Sequence, residues 1–325
     1  MNDREIDLSV RIGGVALRNP IILSPGPFGR TPVSLKHLSE AGCGAVCSKT
    51  LSSEPWEGNP NPKKMNLSCG WMLNSEGGPN IGIDAFTETM MEMKDRIKDS
   101  LVIISVVGKT PEEFVSLATK AVGMGADILD LDITCPNVSE KGTIDSWQKD
   151  LDLLYDLIRA VKKSVSIPFW IKFISAYGSL LEIARTLERA GADAVVPLVS
   201  VAGMAIDLET GKPRLGFKHG VGILTGPPLK YAELKAVADV RRTVKIPVIA
   251  TGGCSSGQDI LEYIMAGAKA VEMHTVFLQK GIGYAGEMIS EMSRLMKERG
   301  WTRLEDLVGL SLKYLPEKPF SVWYR

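Results

Sequence analysis

The sequence predicts an α/β fold, a (β/α)8 TIM barrel with an N-terminal β-hairpin. Three observations lead there. Eight short apolar runs recur along the chain, each followed by a segment with helical spacing. The runs are apolar on both faces, as parallel strands covered by helices must be. The phrase "helix, A-G-A or A-G-C, apolar run" repeats, which marks serial βα units.

The candidate strands are PIILSP (20–25), GAVCSKT (44–50), LVIISV (101–106), ILDLDIT (128–134), PFWIKFI (168–174), AVVPLV (194–199), PVIATGG (247–253) and AVEMHTV (270–276). Helical spacing runs through EEFVSLATKAVGMGA, WQKDLDLLYDLIRAVKKSV, LLEIARTLERAGAD and GQDILEYIMAGAKA. Glycine in the A-G-A turns supplies a left-handed C-cap. LSVRIGGVALRNPI reads as a hairpin ahead of the first strand, placed to plug the bottom of a barrel. No Gly/Ser/Pro linker divides the 325 residues, so one domain, 1–325, is expected. A barrel needs about 250 residues. A doubly wound open sheet is the competing architecture. Two stretches, 51–83 and 200–230, exceed a plain βα loop, and long loops at strand ends are where a barrel builds its site.

Composition excludes several classes. Lys+Arg and Asp+Glu both number 38, so no basic excess suggests nucleic acid. Five cysteines without a C-x-x-C pair argue against a disulfide framework or a four-cysteine zinc site, and suggest a reducing, cytoplasmic setting. The N-terminus lacks the apolar core of a signal peptide, and no apolar run spans a bilayer. His37, His219 and His274 have no metal-ligand spacing, and no G-x-S-x-G elbow is present.

Five motifs carry chemistry. LDLDITCPNVS (129–139) puts a thiol at a strand end: Cys135 is either a general base or a buried structural cysteine. CSKT places Lys49 at the tip of strand two, beside an anionic ligand or simply at the surface. GWMLNSEGGPNIG holds Asn74 in a Gly-rich loop where Gly77 and Gly78 let backbone N–H groups approach a planar ligand, or form a plain turn. In WIKF, Lys172 interrupts an apolar strand and must be paired. Its partner is a flavin anion at N1–C2=O or a carboxylate such as Asp132. GVGILTG (220–226) and IATGGCSSGQD (249–259), followed by MHT (273–275), read as Gly-rich loops after strands seven and eight with a helix start at Ser256–Gly257, either the usual barrel phosphate site or a set of simple turns. No G-x-G-x-x-G follows a strand, so a Rossmann site is not supported. Trp56 and Trp71 in the long second loop either pack the fold or wall an aromatic pocket.

In order and spacing, LRNPIILSPG, SKT, GNPNPK, NSEGGPNIG, TCPN, the strand-five lysine, GMAID, ATGG-x-x-SGQD and the late H-T resemble the dihydroorotate dehydrogenase family, closest to its soluble class with a cysteine base. The resemblance spans about residues 8 to 310. It implies FMN on top of the barrel. Gly226, Gly252, Gly253, His274 and Thr275 would meet its phosphate. Ser24, Pro25, Gly26, Lys49, Thr50, Asn74, Asp132, Lys172 and Ser200 would lie near the ring. Lys49, Asn74, Glu76, Gly77, Gly78, Asn137, Val199 and Ser200 would reach a substrate stacked on it. Cys135 would take a proton from one carbon while hydride passes from its neighbour to flavin N5, with Lys49 beside the reacting carbons.

Three departures stand out. Asp132 replaces a family Asn, Val199 stands where an Asn precedes Thr, and His274 replaces a small residue. Together they weaken a site for anionic orotate. The resemblance therefore implies dihydroorotate oxidation or, alternatively, reduction of another cyclic alkene by a dihydropyrimidine dehydrogenase-like relative. A flavin-dependent RNA modifier fits the neutral charge less well, and a non-catalytic flavin-binding subunit is a further reading. With no iron–sulfur or nicotinamide motif, the electron acceptor is fumarate, a quinone or a separate electron-transfer subunit. Relatives of this kind form homodimers.

Overall fold

The computed structural model describes residues 6–134, 144–174, 179–216, 220–317 and 319. The chain opens with an antiparallel hairpin, β1 (Val10–Ile12) and β2 (Val15–Leu17). All eight predicted barrel strands form: β3 (Ile21–Leu23), β4 (Ala45–Cys47), β7 (Leu101–Val106), β8 (Ile128–Asp132), β9 (Phe169–Ile174), β10 (Ala194–Leu198), β13 (Val248–Thr251) and β14 (Ala268–Met273). They close in the order β10-β13-β14-β3-β4-β7-β8-β9. Every pairing is parallel. The open doubly wound sheet is thereby excluded.

The strands are buried along nearly their whole length, β8 and β9 at every position. This is the consequence of helices covering one face while side chains fill the other. The hairpin packs under the barrel: a Cβ at Gly13 would lie 3.0 Å from that of Asp193 and 3.2 Å from that of Pro168, beside the starts of β10 and β9.

Helix ends follow their sequence signals. Thr110 caps α3 (Pro111–Gly123) by accepting from the Glu113 N–H, with proline at the first position. α6 (Leu180–Ala190) and α8 (Gly257–Ala266) end on left-handed Gly191 and Gly267. The predicted helix through 147–165 is instead two, α4 (Ile144–Lys149) and α5 (Leu151–Ser164). Asp150 sits between them and caps α5 by accepting from the Leu153 N–H at 3.0 Å. An aspartate that satisfies orphan N–H groups from outside a helix is better placed there than within it.

The two long stretches expected as loops pair with one another. β5 (Lys64–Asn66) and β6 (Met72–Asn74), after β4, join β11 (Ala202–Met204) and β12 (Val221–Thr225), after β10, in an antiparallel sheet of order β11-β12-β6-β5. GVGILTG is thus mostly strand, between the sixth and seventh barrel strands, with Gly220 and Gly226 at its two ends outside the ladder. No helix of the described residues is long and apolar enough to cross a membrane.

Candidate active site

The carboxyl ends of the barrel strands and the inner edge of the four-stranded sheet enclose a cleft of about 280 Å3. It gathers most residues singled out in the sequence. Ser24, Pro25 and Gly26 come from the end of β3, Lys49 and Thr50 from β4, and Asp132 and Lys172 from β8 and β9. Val199 and Ser200 follow β10, and Asn74 and Glu76 reach in from the end of β6. Gly226, Gly252, Gly253, His274 and Thr275 complete the rim. Asn74 is a strand residue, paired with Ile223 and Lys64, not part of a Gly-rich loop.

The floor is a buried charge cluster. Lys172 is paired, but with Glu272 at 2.6 Å and Asp130 at 3.5 Å, not with Asp132. Asp132 is its register neighbour on β8. It is occupied otherwise: its Oδ1 accepts from the Thr134 N–H at 2.9 Å and hydroxyl at 2.5 Å, and its Oδ2 from Thr50 at 3.2 Å. Ser105 in turn donates to Thr50, and Ser24 donates to Glu272 at 3.2 Å. Burial works against the Lys172 ammonium, yet Asp130 and Glu272 outweigh it and hold the lysine charged, above its ordinary range. Burial pushes the Asp130 carboxyl up to about 7. Lys172 pulls against that shift, and Glu272 and Asp132 add to it.

The rim over β13 is backbone. Gly253 has φ +69, and a Cβ there would fall 2.2 Å from the Lys230 nitrogen. Gly226 has φ +116, and its Cβ would fall 2.4 Å from the Gly70 carbonyl oxygen. Only glycine permits both conformations at these close approaches. At the start of α8, expected to share in anion binding, three N–H groups are bonded within the chain. Gly257 N–H donates to Glu291 at 2.7 Å, Ser255 N–H to Asp259 at 2.8 Å, and Asp259 N–H to Ser256 at 3.1 Å. Two carboxylates and the Ser256 hydroxyl have taken these three donors.

Two other expectations change. Gly26 is extended, and a Cβ on it would meet the His274 ring at 2.4 Å. The glycine therefore makes room for the histidine. The Nδ1 of His274 lies 3.2 Å from the Ser24 carbonyl oxygen, so this nitrogen carries the hydrogen. Nε2 is then a bare lone pair, sealed from solvent and without a partner among the described residues. Burial pulls the ring down to about 4. A neutral ring in this tautomer has its one N–H committed to the Ser24 carbonyl.

At the mouth, Glu76 pairs with Arg30 at 3.0 Å and Lys64 at 3.1 Å. Burial raises its carboxyl, but Lys49, Lys64 and Arg30 outweigh burial and hold it below the usual range. Lys49 is set by backbone: its N–H donates to Gly29 at 2.7 Å. A Cβ on Gly29 would strike that nitrogen at 2.4 Å. Gly77 and Gly78 line an adjoining cavity of about 110 Å3, which shares Lys49, Thr50, Asn74, Glu76 and Asp132 with the cleft and is walled by Trp56. Trp71 lines neither cavity.

Cys135 and Asn137 lie outside the described residues. Thr134, one residue before Cys135, lines the cleft. Cys43, Cys47 and Cys254 are free and buried, and the described residues hold no group of side chains suited to a metal. The sequence reading missed Asp130, Glu272, Lys64 and Glu233. The first two carried the signal used for Lys172, a charge inside an apolar strand. Glu233 carried none: it lies fully buried on α7 (Lys230–Arg241), accepts from the Val199 N–H at 2.8 Å, and is raised well above its ordinary value by burial.

Residues 7–296 match the family model described as dihydroorotate dehydrogenase. The chain is 35% identical over 309 residues to the Methanocaldococcus jannaschii protein named "Dihydroorotate dehydrogenase B (NAD(+)), catalytic subunit", covering 94% of this chain and 99% of that one. Proteins of the same name from Pyrococcus abyssi and Geobacter sulfurreducens are each 35% identical over 306 residues, covering 94% and 93% of this chain and 99% and 97% of theirs. With the closed barrel and a strand-tip cleft already in place, a match of this extent makes the chain a member of the dihydroorotate dehydrogenase family, oxidoreductases acting on CH–CH bonds.

Proposed function

We propose that the chain binds FMN and oxidises dihydroorotate, passing electrons to a separate electron-transfer subunit. The observation that carries the reading is the cleft itself. A buried lysine on its floor and a glycine backbone on its rim lie where a ring and a phosphate of one mononucleotide would both be met. The donors fit the group. Gly226, Gly252, Gly253 and Thr275 would offer backbone to the phosphate, and Lys172 would stand under the ring with its positive charge. FMN, when bound, accepts a hydride and returns its electrons singly or in a pair.

The chain's own residues do the rest. Lys49, Lys64 and Arg30 outnumber Glu76 at the mouth and would hold an anionic substrate. Asn74, Gly77, Gly78, Asn137, Val199 and Ser200 would orient it, and Cys135 would take the proton from the carbon next to the hydride donor. The names of the relatives, each a catalytic subunit, support the separate electron partner. A cytoplasmic homodimer, each chain one barrel domain, completes this reading.

One observation favours a second substrate. Asp132 presents a carboxylate to both cavities, fastened by three hydrogen bonds. It favours a neutral cyclic substrate with N–H groups over an anion.

Anaerobic titration of the FMN-loaded protein separates the two. Bleaching of the flavin band by dihydroorotate supports the first reading. Bleaching only by dihydrouracil-like compounds supports the second. Protein that takes up no flavin overturns both. Cys135→Ser should slow the bleaching at least a hundredfold, the usual contribution of a positioned acid or base being about 10²–10⁴.

A further inference from the structure

The floor of the cleft carries more acid than its lysine neutralises. Lys172 already has Glu272 at 2.6 Å and Asp130 at 3.5 Å. Both Asp130 oxygens and Glu272 Oε1 are buried without a well-formed hydrogen bond among the described residues, with the Ser105 hydroxyl beside Asp130 favouring its charged form. Around them stand Ser24 from β3, the Cys47 thiol from β4, Ser105 from β7 and Asp132 from β8. β10 and β13 contribute no titratable residue. Glu272 and Lys172 line the cleft, while Asp130, two residues before Asp132 on the same strand face, lies a layer beneath.

We propose that Asp130 takes up one proton from solvent when the redox group seated above Lys172 is reduced, and releases it on reoxidation. This rests on the flavin reading. A lysine free of carboxylates would neutralise the charge arriving with an electron pair. Here that charge meets an ammonium already shared by two carboxylates. In a dry interior, uncompensated charge is costly. Protonating Asp130, which lies 3.5 Å from that ammonium, relieves the cost.

The balance is simple. A hydride from the substrate brings two electrons and one proton to flavin N5, leaving one negative charge on the ring. The substrate's other proton leaves on the Cys135 sulfur. A further proton moves from bulk water to a carboxylate oxygen of Asp130. When the electrons pass to the electron-transfer partner, the protons from N5, Asp130 and the Cys135 sulfur return to water.

The test is the midpoint potential of the FMN-loaded protein, followed by stepwise dithionite reduction from pH 6 to 9. In a two-electron couple a tenfold change in proton activity is worth about 30 mV for each proton taken up. Above pH 7 the wild type should fall about 30 mV per pH unit more steeply than Asp130→Asn, and the two slopes should converge below pH 7. Equal slopes throughout would overturn the proposal. Should that variant fail to fold, Glu272→Gln serves. It leaves Asp130 as the sole partner of Lys172, so the steep segment should begin at lower pH, and an unmoved onset counts against the proposal. Protein that binds no FMN overturns both this inference and the flavin reading. Protein that binds FMN with matching slopes overturns this inference alone.

Discussion

His274 shows how one contact fixes the chemistry of a side chain. The Ser24 carbonyl chooses the tautomer, and burial keeps the ring neutral down to about pH 4. The unfolded chain protonates the same ring near pH 6.5. Between these values the unfolded state binds more protons, so stability is lost as pH falls through the window. The group should cost the wild type up to about 3 kcal/mol by pH 4. His274→Gln should lack that loss, read as a shallower dependence of the urea midpoint on pH between 6.5 and 4. Asp130 works in the opposite sense. Its raised carboxyl binds more protons folded than unfolded, so its contribution is greatest at low pH and fades as pH rises towards 7. It is common to both proteins and cancels in their difference.

At the scale of elements, the start of α8 separates a structural from a ligand-binding role. Ser256 caps the helix, and Asp259 and Glu291 take the neighbouring N–H groups. Ser256→Ala should cost about 1 kcal/mol of stability. It should leave the FMN dissociation constant within a factor of two, measured by fluorescence quenching on titration. A tenfold weaker affinity would restore the helix start to the phosphate site. The four-stranded sheet makes the complementary point. β6 carries Asn74 to the mouth because β12, about 150 residues later, supplies its ladder partner. Pairing at that separation leaves no mark in either segment, which is why both read as glycine-rich loops.

For the whole molecule, the cleft joins residues at the ends of β3, β4, β8, β9, β10, β13 and β14, so a ligand seated in it bridges the barrel. FMN should raise the unfolding temperature, its stabilisation reaching about 2.7 kcal/mol at a hundred times the dissociation constant. Riboflavin, lacking the phosphate, should raise it far less in differential scanning calorimetry at equal concentration. Equal shifts would remove Gly226, Gly252, Gly253 and Thr275 from the phosphate role.

The barrel was legible in the sequence because its cause is local. Eight runs buried on both faces and left-handed glycines such as Gly191 and Gly267 announce themselves within a few residues. The strand tips were legible too, so Lys49, Thr50, Asp132, Lys172, Gly252 and Gly253 could be placed at one end before any contact was known. Partners could not. Strand register sets Lys172 beside Asp132, yet its ammonium reaches Glu272 on β14, three strands around the barrel. The hydrogen on His274, the occupant of the space beside Gly26 and the carboxylates closing the start of α8 likewise depend on closure of the chain. Periodicity and backbone conformation are written residue by residue. Which charge meets which across a dry interior is settled only when the barrel closes and water is excluded.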